Sequence, residues 1–304
     1  MGTSWRQWQI GGLLSGLVWS GGLAVAPCPG FARSGHPVSI AQAPTAETAV
    51  NQGLQFIQQG KLNEAIGAFR QATQLEPRMA AAHYNLGLAL RQQGQLQAAA
   101  TAFHQATQAD PKFALAFANL GAALLEGNNL QQAREYLQRA IELDPGLGLA
   151  HYNLGLVLEQ QRDFAAAVPA FQRAVQLNPH AVEPSYYLGL AYLQQNKVAE
   201  AQAAFEQALR VNPNHAESHY NLGSLQLQRN DLDNALQAFR RSAQANPNYA
   251  NAYYAAGLVF MRQGKFSDAQ KVLQYAKDLY TTQKNPQWAA RAEQQLQKAK
   301  SGQL

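Results

Sequence analysis

Three features of this chain predict an all-α solenoid. Glycines recur every 34 residues, at Gly53, Gly87, Gly121, Gly155, Gly189, Gly223 and Gly257. The pentapeptide HYNLG occurs three times, at His83–Gly87, His151–Gly155 and His219–Gly223, two steps apart each time. The composition leans on Ala, Gln and Asn with few β-branched residues, and only 14% of the 304 residues are charged. Ala and Gln favour helix. A long fixed period marks stacked units that cannot bury their apolar faces alone.

Each element follows from positions within the period. Units beginning at residues 46, 80, 114, 148, 182, 216 and 250 carry apolar residues at places four, seven and eleven, as in Phe117, Leu120 and Leu124. At about 100° per residue these share one helix face. A short break follows, as at Gly94-Gln95, and then a second helix. Twelve residues after each glycine stands Ala65, Ala99, Ala133, Ala167, Ala201, Ala235 or Ala269. Sixteen after it stands Phe69, Phe103, Leu137, Phe171, Phe205, Phe239 or Leu273. Small residues at fixed places mark close helix approach, where extra volume would push the helices apart. Pro77, Pro111, Pro145, Pro179, Pro213 and Pro247 close the first six units, because proline cannot continue the hydrogen-bond ladder. The seventh has Thr281 there, and the first lacks an aromatic or Leu at Ala49 and Gln52. Pro169 falls inside a second helix, so a kink or a solvent-side position is expected. Asn285-Pro286 reads as a helix start. Trp288, Ala292 and Leu296 form an apolar stripe after it, with Arg291, Lys298 and Lys300 facing water, which gives a terminal helix over 285–300.

The period and the Gly–Ala–Phe–Ala–Pro pattern resemble the tetratricopeptide repeat (TPR). The resemblance implies a right-handed superhelical solenoid of seven repeats over 46–79, 80–113, 114–147, 148–181, 182–215, 216–249 and 250–283, with a capping helix and tail over 284–304. It further implies that ligands bind the inner groove, which is lined by the face opposite the core. Places two, five, six, nine, twelve and thirteen point that way. Place five reads Val50, Tyr84, Ala118, Tyr152, Tyr186, Tyr220 and Tyr254. Place six reads Asn51, Asn85, Asn119, Asn153, Tyr187, Asn221 and Ala255. Place nine reads Leu54, Leu88, Ala122, Leu156, Leu190, Ser224 and Leu258. Asn offers a donor and an acceptor to an extended peptide backbone, and Tyr offers a broad face with a polar tip. The candidate peptide groove is therefore Tyr84, Asn85, Leu88, Asn119, Tyr152, Asn153, Leu156, Tyr186, Tyr187, Leu190, Tyr220, Asn221, Tyr254 and Leu258. Chaperone-binding relatives hold a terminal carboxylate with Lys or Arg at places two, five and six. None stands there here. Recognition is expected to use apolar contact and amide hydrogen bonds rather than salt bridges.

The three motif histidines sit at the core-facing place four. They lie two repeats apart, and adjacent helix axes are about 8–10 Å apart, so they cannot share a metal. His180 and His215 fall in loops and are expected to face solvent. No phosphate-cradling loop, HExxH motif or activated nucleophile is present, so no enzyme activity and no cofactor are expected. The net charge of +5 is scattered, without the basic stripe that nucleic-acid binding needs. The partner expected is a protein or peptide.

Residues 1–32 read as a signal peptide or membrane anchor: Arg6, then the apolar run Ile10–Ala26, then small residues before a cut. Gly30-Phe31-Ala32 is the better-placed cut and Ser39-Ile40-Ala41 the second, while Pro27 disfavours a cut after Ala26. Pro27 also departs from the lipoprotein pattern that would end at Cys28, the only cysteine. Residues 33–45 read as a disordered linker. Export to a periplasm or another extracytoplasmic compartment follows, or membrane contact through this segment alone if it is uncleaved. The alternative function is a tethered assembly factor or spacer whose convex face or ends make the contacts.

Overall fold

The computed structural model describes residues 45–303, so the leader and linker expected before residue 45 lie outside the described residues. Among those described there are fifteen helices and no strand, and the fold is an all-α solenoid. The chain divides after Asp110 into two compact units. In the first, α1 (Ala46–Gln58) pairs with α2 (Leu62–Leu75), and α3 (Ala80–Gln92) with α4 (Leu96–Ala109). In the second, the pairs are α5 (Ala114–Glu126) with α6 (Leu130–Leu143) and α7 (Gly148–Gln160) with α8 (Phe164–Leu177). Next come α9 (Val182–Gln194) with α10 (Val198–Val211) and α11 (Ala216–Gln228) with α12 (Leu232–Ala245). Finally α13 (Ala250–Arg262) pairs with α14 (Phe266–Thr282), on which α15 (Pro286–Lys300) packs.

Each pair closes on one contact. A Cβ built on Gly155 would lie 2.5 Å from Phe171 Cε1, and one on Gly189 would lie 2.5 Å from Phe205 Cε1. Gly121 and Gly257 meet Leu137 Cγ and Leu273 Cγ in the same way, at 2.5 and 2.6 Å. Phe69, Phe103, Leu137, Phe171, Phe205, Phe239 and Leu273 are accordingly sealed, and so are the seven alanines that follow each glycine by twelve residues.

The break between paired helices is a left-handed residue at place fifteen of every repeat. Its φ is +71° at Gly60, +81° at Gly94, +60° at Asn128, +62° at Arg162, +58° at Asn196, +59° at Asn230 and +71° at Gly264. The following N–H reaches back over the turn: Lys61 N donates to Phe56 O at 2.9 Å, and Asp163 N donates to Leu158 O at 2.9 Å. This is the Schellman closure, which Gly and Asn tolerate and other residues resist.

Local exceptions in sequence have structural consequences. Where proline is replaced by Thr281, α14 runs on to Thr282, three residues longer than the second helices of the other repeats. Pro169 lies on an exposed face and α8 continues through it, so the missing N–H falls on the water side. The Asn285 side chain accepts from Trp288 N at 3.4 Å and starts α15, whose Ala292, Leu296 and Ala299 are buried. The Arg291 guanidinium, expected to face water, lies 4.6 Å from the Trp288 ring centroid.

Three substitutions test this packing and turn geometry. G155A should destabilise by about 1–3 kcal/mol through overpacking, whereas G67A, with open space around it on α2, should stabilise by up to about 1 kcal/mol. R162G should stabilise by about 1 kcal/mol by relieving a left-handed arginine. Chemical denaturation midpoints measure all three.

Candidate binding groove

In the second unit several first helices of successive repeats touch, α5 with α7, α7 with α9 and α11 with α13, and α13 also touches the terminal α15. The second helices stay further apart, so this stack curls towards its first-helix side. The place-five tyrosines lie on that side, half-buried. Each packs its ring on the sealed aromatic of its own repeat. The centroids are 6.2 Å apart for Tyr152–Phe171, 6.0 Å for Tyr186–Phe205 and 5.7 Å for Tyr220–Phe239. In the first unit Tyr84 does the same with Phe103, at 5.8 Å. One face of each ring therefore belongs to the core and only the remainder is available.

The rings also meet one another. Tyr187 contacts Tyr152 edge-on at 5.9 Å, stacks on Phe171 at 5.9 Å and touches Tyr186 at 5.3 Å. Tyr186 reaches the His215 ring at 5.0 Å, and Tyr220 reaches Tyr249 at 5.5 Å. Tyr254 meets Tyr280 and Trp288 at 6.5 and 5.7 Å. Burial first, then the carboxylates Glu159, Glu183 and Glu217, hold the Tyr187 phenol well above its ordinary range. Burial does the same at Tyr152, Tyr186 and Tyr220. These phenols are neutral at neutral pH and retain their donor protons.

The other two rows are less uniform than the spacing implies. Leu88, Leu190 and Leu258 are half-buried, but Leu156 is 2% exposed and belongs to the core around Leu137 and Val157. Asn85 and Asn221 are half-buried, whereas Asn119 and Asn153 are 4% and 2% exposed. Three of these amides spend a donor on their own helix. Asn85 Nδ2 donates to Ala81 O, Asn119 to Leu115 O and Asn221 to Glu217 O, at 2.8–2.9 Å. Asn153 Nδ2 is buried and has no partner. The row offers fewer free amide groups than its letters do, and Leu156 is withdrawn from it. Helical projection gives direction only; neighbouring repeats decide exposure.

The motif histidines are stitches. Nε2 of His83, His151 and His219 lies 2.9, 3.1 and 2.9 Å from the carbonyl oxygen of Pro77, Pro145 and Pro213, tying each first helix to the turn before it. Among the described residues no group of side chains could hold a metal ion. His215 corrects the expectation of a solvent-facing loop residue. Its Nδ1 accepts from Ser218 N at 3.3 Å, capping α11, and its ring is half-buried against Tyr186. Glu159, Glu183 and Glu217, at places two and twelve of their repeats, stand close enough to Tyr187 for their charges to act on its phenol. A second concavity, a cleft of about 440 Å³, opens between α10 and α12 over α11, with His219 and Gln226 on its floor and Arg210 and Arg241 at its sides. Gln226 occupies the normally apolar place eleven, and its buried Oε1 is unpartnered.

A tetratricopeptide repeat model matches residues 50–112, 89–148, 119–182, 152–201 and 186–250, and another matches 226–293. Among curated proteins none matches in sequence. Several solved structures share the fold. A tetratricopeptide repeat protein from Parabacteroides merdae is similar over 82% of this chain and 98% of its own, with TM-score 0.62 at 18% identity. PilF of Pseudomonas aeruginosa is similar over 68% and 94%, with TM-score 0.61 at 21% identity. The Cut9–Hcn1 hetero-tetramer of the APC/C is similar over 71% of this chain, which covers 42% of that one, with TM-score 0.61 at 22% identity.

The imidazoles of His215 and His219 sit below their ordinary range, chiefly through burial. Glu217 and Glu183 oppose the shift at His215, and the Pro213 carbonyl opposes it at His219. The unfolded chain takes up these protons at about pH 6.5 and the folded chain only at lower pH. Their neutral forms therefore give full stability above about pH 6.5, which is lost as pH falls through the folded values. Urea midpoints should drop between pH 7 and 5, and the drop should shrink in H215N/H219Q, which keeps a cap and an amide donor.

Proposed function

The chain belongs to the tetratricopeptide repeat family, a fold that supports protein–protein interaction, and from that premise we propose that it binds a peptide segment of a partner along its first-helix groove. The observation carrying this reading is the run of half-buried rings from Tyr152 through Tyr187 and Tyr186 to His215, flanked by Leu190. Such a surface gives a segment broad contact at small entropic cost, because each ring has two torsions. Asn85 and Asn221, half-buried in the same row, can add amide hydrogen bonds to its backbone. Export, followed by release or tethering through residues 1–32, is part of the proposal. No described helix is long and apolar enough to cross a membrane. Mass measurement of the mature N-terminus decides that part: a start at Arg33 means cleavage, and an intact Met1 means a tether.

The cleft over His219 and Gln226 favours a second reading, in which an assembly factor docks partners on its second-helix side. Truncating the groove tyrosines would confuse the two readings, because their rings also complete the core. L190R/L258R is cleaner, since arginine stems cover the same apolar surface while their heads fill the groove. Affinity capture from the native envelope fraction should lose the partner with L190R/L258R at unchanged helix content, and retain it with R241E. The reverse pattern would assign binding to the cleft.

A further inference from the structure

We propose that the groove along α7, α9 and α11 receives a basic side chain of the partner segment, an arginine or lysine whose charged end sits among Glu159, Glu183 and Glu217 and whose stem lies on the rings of Tyr152, Tyr186 and Tyr187. This rests on the groove reading and adds the chemistry of its ligand, replacing the expectation of recognition without salt bridges by a charged contact.

The charge there opposes that of the whole chain. The protein carries +5 overall, yet α7, α9 and α11 contain no Lys or Arg. Their acids share stripes with the tyrosines: Glu159 lies seven residues after Tyr152, Glu183 three and four before Tyr186 and Tyr187, and Glu217 three before Tyr220. Residues three, four or seven apart lie on one helix face. The ring contacts from Tyr152 through Tyr187 to Tyr186 join α7 to α9, and His215 joins them to the start of α11. Among the described residues neither Glu159 nor Glu183 has an ion-pair partner. Glu217 has only His215 Nε2 at 3.5 Å, a ring whose proton affinity burial lowers.

Two further observations point to a ligand. Burial raises the Glu159 carboxyl, so an arriving cation would relieve a desolvated acid. Beside Tyr152, Asn153 is 2% exposed and its Nδ2 donor is unpartnered, although Asn85, Asn119 and Asn221 at the same place reach a carbonyl. An unpartnered buried donor costs free energy, which a turn of the side chain towards a carbonyl of the bound segment would recover. Further along the unit, at the Tyr254–Trp288 cluster, the protein supplies its own cation as Arg291 on Trp288. The Tyr152 and Tyr186 rings have acids beside them, and among the described residues no Lys or Arg lies over either ring. A guanidinium or ammonium over an aromatic face gains from the ring quadrupole as well as from the carboxylates.

The test is selection of random nonapeptides displayed on phage against the chain from Arg33 onward, followed by titration of synthetic copies of the enriched peptides. Enriched peptides should carry Lys or Arg and bind at least tenfold more weakly to E159Q/E183Q/E217Q. Their affinity should fall by a similar factor between 50 and 500 mM salt. Enrichment of neutral or acidic peptides that lose binding only with L190R/L258R would overturn the cation site and leave the groove reading standing. No enrichment, or peptides indifferent to both variants, would overturn both. Full competition by spermidine, with no peptide sequence preferred, would make this a polyamine site and also sink the proposal.

Discussion

The structure depends on a side chain that is not there. In every repeat a sealed Phe or Leu of the second helix occupies the space where a Cβ on the first-helix glycine would be. Interiors are packed as tightly as organic crystals, so this contact sets the separation of the two helices and hence the thickness of each repeat. The alanine twelve residues after the glycine serves the same close approach. The left-handed residue at place fifteen lets the chain reverse quickly enough to use it.

Once the pairs are closed, what remains is how they stack. The closing prolines and the place-four histidines act together here, because each imidazole holds the carbonyl of the proline before its helix. A repeated His, so often a metal ligand, is here a joint between one repeat and the next. The place-five tyrosines are shared between core and groove in the same way. They fill space beside the sealed aromatic and leave only part of each ring exposed.

Charge distinguishes one stretch of that groove from the rest. Three first helices without Lys or Arg place their acids beside neutral phenols whose proton affinity burial has raised. Low-polarity surroundings strengthen every charge interaction made there. The place-five rows of tetratricopeptide proteins can be read as packing habit.

The sequence by itself determined the repeat, its two helices, the turn between them and the start of the last helix. All of these are local or periodic: a glycine every 34 residues, an apolar face, a proline stop, Asn285-Pro286. It also determined which helix side faces outward, because projection needs only the helical period. The depth at which each outward residue lies was decided by the tertiary structure alone. Leu156 and Leu190 occupy the same place, yet one is sealed and the other half-open, because neighbouring repeats close over them differently. Asn153 has no acceptor for its amide, and the His215 ring lies against the Tyr186 ring, two outcomes that the helical period does not give. Contacts between residues a full repeat apart set the tilt of each pair on the next, and no short window of sequence contains both sides of such a contact.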